Sequence, residues 1–166
     1  METNILELIK KRRSVRRFKQ QEVPLEIIKK SLESARWAPS GLNNQPWKFM
    51  VLAEKEKDAL AKYTKYDQVV REANKLILVF LDKDSSYNYQ KDLMAIGAAI
   101  QNILIYLTNQ NIGSCWLGEI MNQNDKVEKE LETSQCLEFV AAVAVGILAG
   151  KAKTKERKPL KDLILT

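Results

Sequence analysis

The chain has 166 residues, of which 45% are apolar and 29% charged, and these values predict one globular domain spanning residues 1–166. Its 27 basic and 21 acidic side chains give a net charge of +6. Histidine is absent, which excludes histidine-dependent triads, metal sites and proton relays, so an enzyme of this sequence would take its reactive atoms from a cofactor.

The first half of the chain predicts two helices, a loop, a strand and a third helix. Asn4 can cap the first helix, with Glu7 placed as in a capping box, and the apolar face comprises Ile5, Leu6, Leu8 and Ile9. The second helix begins after Pro24, and its apolar face comprises Leu25, Ile27, Ile28, Leu32 and Ala35. Terminal prolines and internal glycine and asparagine predict a rigid polar loop over residues 39–46. Residues 47–52 are typical of a strand, and a charged helix follows from Glu54.

The second half predicts a central strand, a long helix and two further strands. Residues 76–81 are a continuous apolar run of strand length, which indicates a strand covered on both faces. Residues 91–109 predict a helix that is apolar around most of its girth, so we expect it to be buried within the domain or in a dimer interface. Residues 113–117 and 139–145 predict the two strands, and the whole pattern indicates a three-layer α/β or α+β domain. The apolar residues 162–166 should pair with a sheet of this chain or of a partner.

The targeting and cysteine patterns favour a cytoplasmic protein with no membrane partner. Residues 1–5 lack a signal-peptide pattern, and no apolar run reaches membrane-spanning length. Cys115 and Cys136 have neither metal-binding nor redox spacing, so we interpret both as buried packing residues in a reducing compartment.

Two basic clusters lie near opposite ends of the chain. Residues 10–19 hold seven cations and no acid, and the second cluster comprises Lys151, Lys153, Lys155, Arg157, Lys158 and Lys161 against Glu156 alone. Such dense cations repel each other unless an anion or solvent compensates them. They form either a solvated or nucleic-acid-binding patch, or two clusters that converge on a compact anion such as a phosphate. Against a nucleic-acid-binding protein, only 7% of residues are aromatic, and they do not interleave with the basic residues.

Four segments in one order carry the strongest indication of function. They are residues 12–18 (Arg-Arg-Ser-Val-Arg-Arg-Phe), residues 38–47 (Ala-Pro-Ser-Gly-Leu-Asn-Asn-Gln-Pro-Trp), residues 97–102 leading to 113–118, and residues 155–160. In this order and spacing they resemble the nitroreductase family of FMN-dependent oxidoreductases over nearly the full chain. The resemblance implies an α+β fold of three α/β/α layers, with a mostly antiparallel central sheet and a C-terminal strand exchanged in a homodimer.

The resemblance also implies a cofactor and a reaction. FMN would be bound non-covalently at the dimer interface and reduced by NADH or NADPH, and nitroaromatics, quinones or similar acceptors would then be reduced by a ping-pong mechanism. The flavin would carry the chemistry, so no catalytic side chain and no metal is expected. The alternatives that remain are a small basic nucleic-acid-binding protein, and a flavin-handling or dehalogenating relative of the same fold.

Each segment takes a role from the resemblance. The FMN phosphate, ribityl chain and pyrimidine ring would be held by Arg12, Arg13, Ser14 and Arg16, with Lys155 and Arg157 approaching the same phosphate. The loop that meets the flavin from the opposite subunit would use Pro39, Ser40, Asn43 and Gln45, although a purely structural loop is the alternative. The segment beside the isoalloxazine would be Trp116, Leu117 and Gly118, with a backbone N–H donating to the nitrogen that accepts hydride. Gly118 would allow close backbone approach, whereas Trp116 could equally fill the core.

Several positions depart from the family pattern or have no role in it. The chain lacks the helical insertion that roofs the site in larger members, and residues 82–90 take its place, so we expect a more open pocket. The polar residue offered to the flavin before the central strand is either Tyr66 or Gln68. Glu119 has no assigned role, and we interpret Arg17 and Lys19 as surface charges.

Overall fold

The computed structural model describes residues 4–150, 152 and 154–165. The helices within these residues are α1 (Ile5–Lys11), α2 (Leu25–Arg36), α3 (Glu54–Leu60), α4 (Asp67–Glu72), α5 (Tyr89–Asn109) and α6 (Asn124–Glu130). The strands are β1 (Phe18–Lys19), β2 (Trp47–Ala53), β3 (Lys75–Asp82), β4 (Gly113–Leu117) and β5 (Leu137–Leu148). Short 3₁₀ turns cover Gly41–Asn43, Ala61–Tyr63, Glu119–Gln123 and Leu160–Asp162.

The strands form one antiparallel sheet with β3 near its centre, as the apolar run predicted. β3 pairs with β2 on one side and with β5 on the other. β5 pairs with β4 on its other edge, and near its C-terminal end it also pairs with β1. β2 therefore lies at one edge of the sheet and β4 at the opposite edge. The side chains of β3 from Leu76 to Asp82 are all buried, which is what a doubly covered strand requires.

Alternate side chains of β3 supply two separate cores, one on each face of the sheet. Ile77, Val79 and Leu81 pack with residues of α2 and α5. Leu76, Leu78 and Phe80 pack on the other face with residues of α3, α4 and α6, where the rings of Phe80 and Phe139 meet edge to face at 5.7 Å. The predicted α+β fold with three α/β/α layers is confirmed.

The long helix α5 is confirmed and begins two residues before its predicted start. The side chain of Asn88 caps it by accepting the N–H of Lys91 at 3.1 Å. Its buried side chains are Asp92, Ala95, Ile96, Ala99, Ile100, Ile103, Leu104 and Leu107. Met94 is 73% exposed, so within one copy the helix is not covered on nearly all sides. Within the described residues, no helix combines the length and apolar character that crossing a membrane requires.

Other apolar positions are also more exposed than predicted. Ile5, Leu6 and Ile9 of α1 are exposed although this short helix contacts α5, and Leu25 in the first turn of α2 is exposed as well. Asn4 caps α1 as predicted, but the carboxylate of Glu7 pairs with Lys10 at 2.9 Å, so the reciprocal bond of a capping box is not formed.

The C-terminal residues 163–165 are exposed and form no strand within the described part of the chain. Their predicted pairing with a sheet, and the exchange of this segment in a dimer, therefore stay predictions.

Candidate functional site

The segment that holds the first basic cluster contacts β4. Arg12 ends α1, and the backbone of Ser14 then forms a parallel bridge with Ser114. The N–H of Val15 donates to the carbonyl of Ser114 at 2.9 Å. This bridge fixes the direction of the segment, and Val15 packs into the core while Arg12 and Arg13 stay partly buried at the surface.

Arg157 of the second basic cluster lies close enough to Arg12 of the first for their charges to interact, which supports the arrangement in which the clusters converge. Burial lowers the pKa of Arg12 below its ordinary value, and the positive charges of Arg157 and Arg13 lower it further. Arg157 belongs to the C-terminal cluster, so this interaction indicates that a residue of each cluster lies in the same region. None of the described ion pairs includes Arg12, Arg13, Arg16 or Arg157. Among the described residues, no carboxylate thus forms an ion pair with these four arginines; Lys151 and Lys153 lie outside the described residues.

The remaining basic side chains divide into two groups. Arg16 lies over the ring of Tyr66, with 5.8 Å between its guanidinium carbon and the ring centroid. Arg17 is not a free surface charge, because it pairs with Glu72 at 3.0 Å, and the same carboxylate accepts the N–H of Phe18 at 3.1 Å. Lys19 and Lys155 are exposed.

The end of β4 presents an aromatic side chain and an open backbone. Trp116 is 41% exposed, so its interpretation as a core residue is wrong, while Leu117 is buried. A Cβ atom built on Gly118 would meet only Nε1 of Trp116, at 3.7 Å. A ligand can therefore approach the Gly118 backbone closely. Cys115 is buried as predicted, and burial raises the pKa of its thiol; Cys136 is only partly buried.

The 39–46 loop is present as predicted, and it contains one 3₁₀ turn over Gly41–Asn43; its rigidity stays a prediction. Oγ of Ser40 accepts the N–H of Gln45 at 3.0 Å and closes the loop on itself. Leu42, Asn43 and Gln45 have φ angles of 55°, 55° and 48°, in the left-handed region. Beside the loop is a half-open cavity of about 270 Å³, and its lining includes Pro39, Ser40, Lys91, Met94 and Ala98.

The loop and the basic cluster lie at diagonal corners of the sheet within one copy. Trp47, which follows the loop, pairs with Leu81 at the end of β3, which in turn pairs with Glu138 of β5. Ser114, beside the basic cluster, pairs with Val145 of β5, seven residues further along. Seven residues along a strand and three strand spacings across the sheet separate them by roughly 20 Å or more. The structure thus places Arg12 and Ser14 beside β4 and the backbone of the 39–46 loop at the diagonally opposite corner of the sheet, while the ring of Trp116 extends toward Gly97 of α5.

Two positions left open by the sequence gain partners. Nε2 of Gln68 donates to Glu72 at 2.8 Å, whereas Tyr66 lies beneath Arg16, so Tyr66 is the residue adjoining the basic cluster. Glu119 accepts the N–H of Lys65 at 3.1 Å and the hydroxyl of Thr64 at 2.9 Å, and these bonds lower the pKa of its carboxyl. Glu119 therefore ties the segment before Tyr66 to the segment after Gly118.

Sequence reasoning missed Asp92, a fully buried carboxylate in the first turn of α5. It accepts a hydrogen bond from the side-chain amide of Asn44 at 2.8 Å and one from the hydroxyl of Ser86 at 2.7 Å. Its position inside a strongly apolar helix was the signal available, because a buried acid needs several donors to compensate for its desolvation.

Comparison with known proteins places these features in a family. The chain matches the model described as the nitroreductase family over residues 9–65 and 53–147. A Methanothermobacter thermautotrophicus protein, provisionally named NADH dehydrogenase/NAD(P)H nitroreductase, is 32% identical over 126 residues, which are 75% of this chain and 65% of that protein. The match thus spans slightly less than two thirds of that relative. Iodotyrosine deiodinase of Thermotoga neapolitana is 32% identical over 136 residues, covering 66% of this chain and 71% of the deiodinase.

A solved structure is similar over the whole length. A provisionally named nitroreductase from Desulfovibrio desulfuricans, crystallised in complex with FMN, is 41% identical with a TM-score of 0.96. The superposition covers 100% of this chain and 98% of that one. Since the family model matches most of the sequence and the fold agrees over its full length, the chain belongs to the nitroreductase family.

Proposed function

We propose that the protein is an FMN-dependent oxidoreductase that transfers electrons from NADH or NADPH to nitroaromatic, quinone or similar acceptors. One observation carries the proposal: the cationic side chains of Arg12, Arg13 and Arg157 converge without an ion-pair partner among the described residues. The fold-wide similarity to a protein crystallised with FMN supports FMN as the source of the anion that this cluster binds.

The residues present fit the phosphate end of FMN. A phosphate monoester carries close to two negative charges and several acceptor oxygens, which match the planar donors of arginine. The lowered pKa of Arg12 reflects burial and the repulsion of Arg157 and Arg13, and a bound phosphate would relieve that repulsion. We propose that Arg12, Arg13, Ser14 and Arg16 hold the phosphate, ribityl chain and pyrimidine ring, with Lys155 and Arg157 completing the phosphate site.

The residues at the end of β4 fit the ring end of the cofactor. The half-exposed Trp116 offers an apolar surface, and Gly118 leaves its backbone open to close approach. We propose that Trp116, Leu117 and Gly118 lie beside the isoalloxazine and supply a backbone N–H to it. Tyr66 would adjoin the same region through its contact with Arg16.

We propose that a second copy of the chain completes the site. The diagonal separation between the basic cluster and the 39–46 loop supports this, because one copy cannot readily bring both to one small molecule. An apolar groove of about 670 Å³ between α1, α2 and α5, lined in part by Ile5, Ile9 and Trp37, also favours coverage by a partner. Pro39, Ser40, Asn43 and Gln45 of the partner subunit would then meet the flavin.

FMN supplies hydride chemistry when bound, and the protein supplies binding, orientation and electrostatics. The basic cluster stabilises negative charge at the cofactor, and no side chain is required as a general acid because water can provide protons. The electron donor and the acceptor would occupy the same pocket in turn.

Steady-state kinetics of the FMN-loaded protein test this proposal. With NAD(P)H and a quinone or nitroaromatic as the varied substrates, we expect parallel double-reciprocal lines, the pattern of a ping-pong reaction. Intersecting lines would contradict a single shared pocket, and the absence of NAD(P)H oxidation with any acceptor would contradict the proposed activity.

A second candidate activity is reductive dehalogenation by the same cofactor. It is favoured by the similarity to the Thermotoga neapolitana iodotyrosine deiodinase. Release of iodide from iodotyrosine by the reduced, FMN-loaded protein, faster than its reduction of quinones, would favour dehalogenation over the first proposal.

A further inference from the structure

The 39–46 loop adopts a backbone that its own residues disfavour. Left-handed φ angles at Leu42 and Gln45 place their Cβ atoms close to the following carbonyl, a steric cost that glycine avoids. Leu42 is 86% exposed, so packing of its side chain does not stabilise this conformation. Strained backbone of this kind persists where surrounding contacts over-determine it.

A buried carboxylate provides those contacts. Asp92 accepts hydrogen bonds from Nδ2 of Asn44 at 2.8 Å and from Oγ of Ser86 at 2.7 Å, and the backbone N–H groups of Tyr87 and Asn88 donate to it at 3.1 Å each. Burial acts to raise the pKa of Asp92, but these hydrogen bonds outweigh it and hold the pKa below its ordinary value. Asp92 is therefore ionised at neutral pH. Its hydrogen bonds join both the 39–46 loop and the 82–90 connection to the first turn of α5.

Asn44 connects the loop to this carboxylate as a double donor. Its amide nitrogen donates to Asp92 and also to the carbonyl of Ser85 at 3.0 Å, so both neighbours are acceptors and the orientation of the amide is fixed. The amide oxygen is buried, and no donor among the described residues reaches it. An unsatisfied buried acceptor is costly, which indicates that the two donated bonds are what this position contributes.

The side chain of Tyr87 makes a second contact with the loop. The ring of Tyr87, which is held through the bond from its N–H to Asp92, lies against Gly41. A Cβ atom at Gly41 would lie 2.5 Å from ring carbons of Tyr87, so this exposed ring would have to shift if any other residue replaced the glycine. The 82–90 connection thus contacts the loop through Ser85 and Tyr87, beside the bond between Asn44 and Asp92.

We propose that Asp92 and Asn44 are positioning residues that lock the 39–46 loop in its strained conformation before any cofactor is present. This inference rests on the proposed function, in which the loop presents Ser40, Asn43 and Gln45 to the flavin of the partner subunit. A preformed loop avoids the entropy cost of ordering at the moment of binding, so the clamp should strengthen FMN retention without contacting FMN.

Asn44→Ala is the principal test, in the full-length protein. Asn44 has a φ of −72°, which alanine adopts without strain, and Asp92 keeps its three other donors, so the fold should be retained. Asn122→Ala, at an exposed position of a 3₁₀ turn, is the matched control. Hydrogen–deuterium exchange of the FMN-free protein should show at least tenfold faster exchange in peptides covering residues 39–46, with peptides of β3 and β5 unchanged and with no change in the control.

The loaded protein tests what the clamp is used for. FMN should dissociate about tenfold faster from Asn44→Ala than from the wild type or the control, and Asp92→Asn, which keeps the side-chain volume, should reproduce both effects. Unchanged exchange in the 39–46 peptides of both variants would overturn the clamp. Faster loop exchange with unchanged FMN release would overturn its positioning role. Wild-type protein that binds no FMN would overturn the proposed function, while the exchange measurement would still decide whether the clamp exists.

Discussion

Arg157→Ala should have opposite effects on the FMN-free and the FMN-bound protein. Arg157 is exposed on the C-terminal segment, makes no ion pair among the described residues, and lies close enough to Arg12 to lower its pKa. In the absence of an anion its charge repels Arg12 and Arg13. Removing it should therefore leave the free energy of unfolding unchanged or raise it by up to about 0.5 kcal/mol, since like charges near a solvated surface interact by less than about 1 kcal/mol.

Binding of FMN should be weakened by the same substitution. A charge-assisted hydrogen bond to a phosphate contributes roughly 1–3 kcal/mol, so the dissociation constant should rise about 5- to 150-fold. Riboflavin lacks the phosphate, and its affinity should change much less. Because surface electrostatics are screened, the loss for FMN should be larger at low salt than at high salt.

Flavin fluorescence titrations and urea unfolding measure these quantities in the same preparation. Arg71→Ala is a suitable control, because Arg71 is an exposed arginine of α4 without an ion pair among the described residues. Equal losses of affinity for FMN and riboflavin would show that Arg157 does not contact the phosphate. A clear decrease in the free energy of unfolding of the FMN-free variant would refute the claim that Arg157 repels Arg12 and Arg13 when no anion is bound.

Three further predictions concern the glycines, the C-terminal segment and pH. Gly41→Ala should destabilise the FMN-free protein by about 1 kcal/mol, because the exposed Tyr87 ring must shift to make room for the added Cβ. Gly118→Ala should leave unfolding nearly unchanged yet weaken FMN binding, and equal stability losses in urea would contradict this contrast. Deleting residues 162–166 should give a weaker dimer that releases FMN on dilution, and a truncated protein that stays dimeric and loaded in gel filtration would show that the segment is dispensable. Because the pKa of Asp92 is lowered from 3.8, its contribution to stability is present above that value and is lost as the pH falls further; Asp92→Asn should flatten the acid limb of the thermal stability profile, and an unchanged limb would contradict the assignment.

Local sequence pattern was sufficient for most of the fold. The apolar run at 76–81 and the long apolar helix were recognisable because an element that is buried on most of its surface consists almost entirely of apolar residues. The exposure of Leu25 and Ile5 was not predictable in the same way. Amphipathic spacing shows which side of a helix is apolar, but not whether another element of the same chain covers it.

The candidate site residues were proposed from the sequence, whereas their arrangement in space came from the structure. Basic residues near both chain ends suggested convergence, and the interaction of Arg157 with Arg12 is consistent with it, while binding of an anion there stays a prediction. The contact of Asn44 with Asp92 joins residues 48 positions apart, and that of Thr64 with Glu119 spans 55. Such pairings depend on sheet order and register, which no local pattern specifies, so the role of Glu119 and the existence of the clamp emerged only from the structure.

The absorbance spectrum of the full-length protein tests the central claim most directly. The protein would be equilibrated with FMN and freed of excess cofactor by gel filtration. We predict a yellow protein carrying about one FMN per chain, which heat or acid releases intact because the cofactor is not covalently attached. A folded protein that remains colourless after the same treatment would contradict the assignment of the basic cluster as an FMN phosphate site and, with it, the proposed oxidoreductase activity.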